Sequence, residues 1–149
     1  MIMQVIAIPI FVGSVMIQTE SNTKSISTSI FIIAGALIAL AGTTTEAIAD
    51  RQESNFKKDL KTNQKICRVG LWEISRHPNY LGEILTWIGI RIVPLGLHYG
   101  ALALIAPIFI TFLLYFVSGV PLLEKRLEGR PNFEEYKKTT DAIFSMFRR

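Results

Sequence analysis

YGALALIAPIFITFLLYFV, the stretch from Tyr99 to Val117, has nineteen residues and no formally charged side chain. At roughly 1.5 Å of rise per residue, a helix of this length crosses the hydrocarbon core of a bilayer, which is about 30 Å thick. The whole chain has the same character: 50% of its 149 residues are hydrophobic, 19% are charged, and the mean hydropathy is +0.36. These values argue against an ordinary soluble domain and predict an integral membrane protein.

Three further apolar runs lie outward from this stretch: Met1–Ile17, Ser27–Thr45 and the shorter Tyr80–Val93, which contains Glu83 and Arg91. We therefore expect an all-α, polytopic integral membrane protein with about four transmembrane helices. Met1–Ile17 lacks the basic start and the small-residue cleavage site of a signal peptide, so we expect either an uncleaved helix there or a chain that begins inside a longer parent protein.

The loop charges predict the orientation of the helices. Residues 51–76 hold seven Lys/Arg against three acids, and 124–149 hold seven against five. Basic loops stay in the cytoplasm, so we expect both the 51–76 loop and the C-terminal tail there, with two spans between them. The net charge of +4 then reflects orientation in a cell membrane and not nucleic-acid binding.

The second apolar run ends in a stripe of small and then acidic residues, at steps of 4, 4, 3 and 4: Gly35, Ala39, Thr43, Glu46 and Asp50. This spacing places them on one face of a helix, where the small residues permit close packing against another helix. The two carboxylates either solvate the helix end or form the wall of a pocket. In the second case they would hold hydroxyl groups, while Lys57 and Lys58 meet phosphate.

The string Arg76-His77-Pro78-Asn79-Tyr80-Leu81-Gly82-Glu83 concentrates hydrogen-bonding side chains at the start of a helix, since Pro78 suits a first turn. Tyr80, Glu83, Trp87 and Arg91 then follow at steps of 3, 4 and 4 as one polar and aromatic stripe. A buried Glu83 needs a partner, and the alternatives are Asn79, Arg76 or a bound ligand. The other interpretation is a helix cap beside an interfacial aromatic belt.

The tail after the last span is basic, with Glu124-Lys125-Arg126 followed by Tyr136-Lys137-Lys138. Either it is a snorkelling helix that meets anionic lipid, or Arg126 and its neighbours close a cytosolic pocket over a phosphate-bearing cofactor. The sequence has no glycine-rich dinucleotide loop, no P-loop and no Cys/His metal spacing. His77 and His98 are its only histidines, so we expect no metal site.

Two strings together strongly resemble the steroid 5-alpha reductase superfamily: GLWEISRHPNYLGE at 70–83 and SGVPLLEKR at 118–126. The nearest branch is that of bacterial proteins of unknown function. The resemblance covers 25–149, so we expect one membrane domain over 1–149, with an N-terminal helix and loop at 1–24 and a cofactor-binding half at 25–149. An Arg-His-Pro-x-Tyr core also occurs in isoprenylcysteine carboxyl methyltransferases and phospholipid methyltransferases, which are similar membrane enzymes.

The resemblance implies a cytosol-facing pocket for NADPH. By matching position, it assigns these residues to the cofactor: Asp50, Lys57, Trp72, Arg76, His77, Asn79, Tyr80, Glu83, Glu124, Arg126 and Tyr136. Tyr80, supported by Glu83, is the expected catalytic group. A hydrogen-bond donor is needed where negative charge develops on the substrate, and Tyr80 is the best one present.

The first hypothesis is an NADPH-dependent oxidoreductase that saturates an activated C=C bond in a lipophilic sterol, isoprenoid or fatty-acyl substrate. The second is an S-adenosylmethionine-dependent methyltransferase of the isoprenylcysteine carboxyl or phospholipid type, although those relatives carry paired glutamates where this chain has Glu124-Lys125. The third is a truncated, non-catalytic relative, because the reductases draw substrate-side acids from helices before this half and only Met1–Ile17 stands there. A homo-oligomer that completes the cavity is a further alternative. The expected partners are the substrate and membrane lipids, without nucleic acid.

Overall fold

The computed structural model describes residues 26–58, 66–96 and 104–143. These residues form helices and turns, with no strand among them. The α-helices of the described chain are α1 Ile26–Lys58, α2 Leu71–Ile74, α3 Pro78–Ile92, α4 Ile105–Phe112, α5 Val120–Leu127 and α6 Phe133–Thr139. A 3-10 turn, Val93–Gly96, follows α3, and a π-helical segment, Leu113–Val117, continues α4.

Two helical segments are long and apolar enough to cross a bilayer: Ser29–Lys58 within α1, and Pro107–Leu127, which runs from α4 into α5. The described residues thus confirm an all-helical chain with the character of a membrane protein, whereas the expected number of about four spans is not confirmed. The run at 80–93 falls in α3, which has only 15 residues. Met1–Ile17 and part of the run at 99–117 lie outside the described residues.

The outer faces of the two long segments are apolar. On α1 the exposed side chains follow helical spacing: Ile30, Ile33, Leu37 and Leu40. α4 and the π-helical segment likewise expose Ile105, Ile108, Phe109, Phe112 and Phe116. Acyl chains of a membrane cover such faces, which in water would associate with one another. Such exposed apolar faces are typical of helices that span a membrane.

The described residues divide into two compact units, the first from 26–43, 84–96 and 104–110, the second from 44–58, 66–83 and 111–143. In the first unit α1 and α3 approach backbone to backbone. A Cβ on Gly35 would lie 2.6 Å from the carbonyl oxygen of Gly89, and a Cβ on Gly89 would collide with the backbone of Ala39. This contact confirms the close helix packing expected from Gly35 and Ala39.

The second unit is organised around Trp72, which is 5% exposed. Trp72 packs with Ala49 and Cys67, and its Nε1 donates a hydrogen bond to the carbonyl oxygen of Ala49 at 3.1 Å. Gln52 holds the same region, because its Oε1 accepts a hydrogen bond from the backbone N–H of Leu71 at 3.0 Å. These contacts attach the short helix α2 to the C-terminal part of α1.

The π-helical segment determines where α5 begins. Its wider turn is closed by the backbone N–H of Ser118, which donates to the carbonyl oxygen of Leu113 at 2.8 Å. Pro121 then lies in the first turn of α5, where its missing N–H leaves no helical bond unmade. The charged side chains of α5 come directly after this turn, from Glu124 to Arg126.

Candidate functional site

Arg76 is held by the protein through every nitrogen of its guanidinium group. Its Nε and Nη2 donate to Glu124 Oε1 at 2.9 and 2.6 Å, and the two side chains are only 10% and 11% exposed. Its Nη1 donates to the backbone carbonyl oxygens of Lys137 and Thr140 at 3.0 and 2.5 Å. Arg76 therefore pairs with Glu124, and the alternative in which it partners Glu83 is wrong. We call this arrangement the Arg76–Glu124 clamp.

The backbone of residues 140–142 lies beside that of residues 75–77. The backbone N–H groups of Arg76 and His77 donate to the carbonyl oxygens of Asp141 and Ala142, both at 2.9 Å. Ser75 Oγ adds a hydrogen bond to the carbonyl oxygen of Ala142 at 3.1 Å. We call residues 140–142 the strap, because they fasten the chain after α6 to the start of the Arg-His-Pro string.

Tyr136 fixes α6 against α2. It is 1% exposed, and its hydroxyl contacts the carbonyl oxygens of Trp72 and Ser75, the latter at 3.1 Å. Burial raises the pKa of Tyr136 well above its usual range, so the hydroxyl stays a neutral donor. The guanidinium group of Arg68 lies 5.2 Å from the centroid of the ring. Tyr136 is therefore a structural support for the backbone that carries Trp72.

His77 is almost fully enclosed, at 1% exposure. Its Nε2 lies 3.5 Å from Glu124 Oε1, and its ring stacks on that of Tyr80 with 5.3 Å between centroids. Neither Nδ1 nor Nε2 has a hydrogen-bond partner among the described residues, so the contact with Glu124 is electrostatic only. Burial lowers the pKa of His77 and outweighs the nearby Glu124 carboxylate, which favours the charged form. The imidazole is therefore neutral near pH 7.

This burial makes the stability of the protein depend on pH. The pKa of His77 in the folded state lies below its unfolded value of about 6.5, so the unfolded chain binds more protons as the pH falls. We expect the free energy of unfolding to be level above about pH 6.5 and to decline below it. His77→Gln should remove most of the decline near pH 6, and denaturation midpoints between about pH 8 and about pH 5 measure it. His98→Gln is the control, and an unchanged pH profile in His77→Gln would contradict the assignment.

A cleft of about 170 Å³ lies in the second unit and is bordered by Arg76. Lys57, Arg126 and Arg130 also line it, and Glu53 is the acid among its lining residues. Glu53 is paired with Lys57 at 2.6 Å. Arg76 is engaged by the clamp and Lys57 is paired with Glu53, so the guanidinium groups of Arg126 and Arg130, both exposed, are the positive charges most open to a ligand among the described lining residues. We call this the basic cleft.

Apolar side chains form the other walls of the basic cleft. Phe56, Trp72 and Tyr136 are the aromatic ones, and Leu123 and Leu127 come from α5. A flat ring can pack against such walls while a phosphate meets the guanidinium groups. The volume is below the roughly 300–1,000 Å³ of pockets that enclose a drug-sized ligand, so the cleft can surround only part of such a ligand.

The basic cleft gathers five of the residues expected at the cofactor: Lys57, Trp72, Arg76, Arg126 and Tyr136. Three others join them through direct contacts, since Glu124 pairs with Arg76 and lies beside His77, which stacks on Tyr80. The roles of all these residues toward a cofactor stay predictions. What the structure adds is that Arg76, Glu124 and Tyr136 also hold the fold together.

Asp50, Asn79 and Glu83 do not line the basic cleft. Asp50 borders a separate, open depression beside the end of α1. Asn79 has a buried Oδ1 without a hydrogen-bond partner among the described residues. Glu83 lies in the electrostatic field of Asp50 and Glu46, the latter 6% exposed. Three acids in one region favour hydroxyl or cationic groups over phosphate.

Sequence reasoning missed Arg130 and Cys67 as residues of the cleft. Arg130 comes from an irregular turn in which Gly129 and Asn132 adopt φ values of 81° and 66°. An Arg-Pro-Asn run before a helix signals such a turn, because asparagine tolerates the left-handed conformation. Cys67 is 8% exposed, and burial raises the pKa of its thiol, so it is a wall of the cleft and not a reactive thiolate.

The described residues are helical, include two candidate spans and expose apolar faces, which is the character of a membrane protein, and they enclose one basic cleft in the second unit. The family profile described as "Protein of unknown function (DUF1295)" matches residues 1–140. The chain belongs to this family, which is part of the steroid 5-alpha reductase superfamily. The resemblance carried by the two motif strings is thereby confirmed.

A curated relative agrees with this assignment over part of the chain. The steroid 5-alpha-reductase DET2 of Gossypium hirsutum is 40% identical over 57 residues, which are 38% of this chain and 22% of that protein. The chain thus spans under a quarter of the relative it matches. No solved structure matches the chain.

Proposed function

We propose that the protein is a membrane-bound, NADPH-dependent reductase of an activated C=C bond in a lipophilic substrate. The observation that supports it best is the basic cleft, where the exposed guanidinium groups of Arg126 and Arg130 stand beside the indole of Trp72. Guanidinium groups bind phosphate oxygens through paired, charge-assisted hydrogen bonds. The similarity to a protein named a steroid 5-alpha-reductase points to the same chemistry.

In this proposal the basic cleft holds the phosphate-bearing end of the cofactor. Lys57, Arg126 and Arg130 bind the phosphates, and the Arg76–Glu124 clamp keeps the wall behind them in place. The sites for the ribose hydroxyls and the nicotinamide lie outside the cleft, because its volume is too small for the whole molecule. Asp50, His77 and Asn79 stay candidates for those contacts.

Tyr80 is the group that we propose to polarise the substrate. Its ring stacks on the buried imidazole of His77, which limits the rotation of the phenol. When bound, NADPH would supply the hydride for the β-carbon of an enone-like group. Tyr80 would donate a hydrogen bond to the carbonyl oxygen, where negative charge develops, and a proton from water would complete the reduction at the α-carbon. Glu83, three residues further along α3, supports Tyr80.

The first test is Arg126→Ala. If Arg126 binds a cofactor phosphate, its loss should weaken NADPH binding by about 1.5–3 kcal/mol, or roughly 10- to 150-fold in Kd. The effect should shrink at high salt, because exposed charges are screened. Tryptophan fluorescence or thermal stabilisation of the purified protein measures the Kd.

Lys125→Ala is the matched control for Arg126→Ala. Lys125 is the neighbouring residue of α5, equally basic and exposed, and it does not line the basic cleft. We expect its NADPH affinity to equal that of the parent protein. Equal affinities in both variants would reject the basic cleft as the cofactor site. Stabilisation by S-adenosylmethionine in place of NADPH would reject the reductase in favour of a methyltransferase.

A second test concerns Glu83. With Arg76 engaged elsewhere, Glu83 has no basic partner among the described residues. We therefore expect Glu83→Gln to keep the stability of the unliganded protein, because no ion pair is broken. Turnover or ligand binding should fall by tenfold or more if Glu83 supports Tyr80, as expected of acid–base groups. A lower melting temperature with intact activity would return Glu83 to a structural role.

We also propose that the basic cleft faces the cytoplasm. Two of its cations, Lys57 and Arg126, belong to the segments 51–76 and 124–149, whose excess of Lys/Arg favours the cytoplasmic side. A lipophilic substrate would enter from the bilayer, where the exposed apolar faces of α1 and α4 lie. A homo-oligomer that completes the substrate chamber stays part of the proposal.

A further inference from the structure

Arg91 has no carboxylate beside it in the described part of the first unit. The sequence segments of this unit, 1–43 and 84–110, contain only three charged residues: Glu20, Lys24 and Arg91. Glu20 lies outside the described residues, so the described part of the unit offers Arg91 no carboxylate. The charges of the basic cleft belong to the second unit.

The surroundings of Arg91 are apolar. Its Nε is buried and has no hydrogen-bond partner among the described residues. The carbon at the centre of its guanidinium group lies 5.8 Å from the ring centroid of Trp87. Trp87 and Ile90 are 6% and 3% exposed and pack with Ala39 and Ile110. The last turn of α3 favours a cation, but its carbonyl groups do not bond Nε.

Arg91 also lies deep along the apolar helices. The hydroxyls of Thr43 and Thr86 lie 3.3 Å apart, and earlier in α1 Gly35 packs against Gly89 and Val93. Moving back along α1 therefore means moving forward along α3, so the two helices are antiparallel. Arg91, midway between Gly89 and Val93, is therefore level with Gly35. Gly35 stands at the middle of the uncharged run 25–45, roughly 15 Å of helix from either end. An arginine at such a depth is expensive unless an anion or water meets it.

We propose that Arg91 binds the oxyanion head of an amphiphile within the membrane-embedded first unit. The face of Trp87 orients the guanidinium plane, and its edge remains available for paired hydrogen bonds to a carboxylate or a phosphate. Exposed apolar side chains of the same unit, among them Leu37 and Ile108, provide a surface for an acyl chain. The oxyanion comes from an anionic phospholipid of the bilayer or from a carboxylate-bearing lipophilic substrate. The inference does not rest on the proposed reductase function.

The experiment compares amphiphiles that differ only in the oxyanion. Purified protein in an uncharged detergent is titrated with palmitate against hexadecanol, and with phosphatidic acid against diacylglycerol, while the melting temperature is followed. We expect stabilisation by at least one anionic member of the two pairs and by neither neutral member. Phosphatidic acid alone would identify a phospholipid as the source, and palmitate alone would identify a carboxylate-bearing ligand.

Arg91→Gln should lose at least tenfold in apparent affinity for the stabilising anion, and Arg91→Lys should retain part of it, because a lysine keeps the charge without the paired geometry. Lys138→Gln, which removes an exposed cation from α6, should bind as the parent does. Without ligand, Arg91→Gln should melt at the parent temperature or higher, because it removes a half-buried cation whose Nε has no hydrogen-bond partner among the described residues. The proposal would be overturned if neither palmitate nor phosphatidic acid raised the melting temperature, or if the neutral lipids raised it equally. It would also be overturned if Arg91→Gln bound the anion with full affinity, or if Arg91→Gln without ligand melted below the parent protein.

Discussion

Glu124→Ala should lower the free energy of unfolding by about 3–5 kcal/mol, the usual effect of removing one partner from a buried ion pair. The change leaves the guanidinium group of Arg76 only 10% exposed and without the carboxylate that accepts from its Nε and Nη2. Lys137, whose Nζ lies 3.4 Å from Glu124 Oε2, loses the same partner. Chemical denaturation in detergent, followed by tryptophan fluorescence, measures the difference.

Two companion variants show whether the effect belongs to the clamp. Glu128→Ala removes an exposed carboxylate from the end of the same helix and should change stability by less than about 0.5 kcal/mol. Arg76→Ala together with Glu124→Ala should destabilise less than the sum of the two single changes, because the pair then leaves no buried charge behind. A Glu124→Ala protein as stable as Glu128→Ala would show that the clamp contributes nothing to the fold.

Gly89→Val should disrupt the packing of α1 on α3. A Cβ at position 89 collides with the backbone of Ala39 and lies 2.6 Å from the carbonyl oxygen of Gly35. Backbone atoms cannot turn aside as a flexible side chain can, so the helices must separate. We expect a loss at or above the upper end of the roughly 1–3 kcal/mol that overpacking usually costs. Melting temperature and the yield of monodisperse protein both report it.

Ala47→Val is the control for Gly89→Val. It places the same valine side chain at an exposed position of α1, where the low helix propensity of valine is the main effect. We expect a change of less than about 1 kcal/mol. If Gly89→Val were tolerated as well as Ala47→Val, the close approach of the two helices would not be a source of stability.

Local patterns in the sequence predicted the parts of the fold that depend on near neighbours. The spacing of Gly35 and Ala39 predicted a helix face for close packing, and that face meets Gly89. Pro78 predicted the start of α3, because proline fits a first turn. The long charge-free runs predicted membrane character, and two candidate spans follow from them.

Features that join distant parts of the chain escaped prediction. Arg76 and Glu124 are 48 residues apart, so no periodicity links them, and the sequence offered Glu83 as a nearer partner. The residues of the π-helical turn at 113–117 are apolar like those of the preceding α-helix, so the sequence did not reveal the wider turn. Arg130 reaches the basic cleft through a turn with two left-handed residues, and hydrophobic periodicity does not describe such turns. Charge patterning alone did not decide whether Arg126 meets lipid or a cofactor. The resemblance to the reductases was what favoured the cofactor.

Residues 75–77 can form their hydrogen bonds with the strap only after the strap has been synthesised. A ribosome delivers Arg76 to the membrane long before Thr140, which follows 64 residues later. Until then the backbone N–H groups of Arg76 and His77 lack the carbonyl groups of Asp141 and Ala142 that they bind in the finished protein. A chain interrupted in between keeps an arginine-bearing segment with open hydrogen-bonding groups, the kind of unfinished surface that chaperones and proteases recognise. The hydrogen bonds between the strap and residues 76–77 thus distinguish a chain synthesised past Ala142 from one interrupted before it.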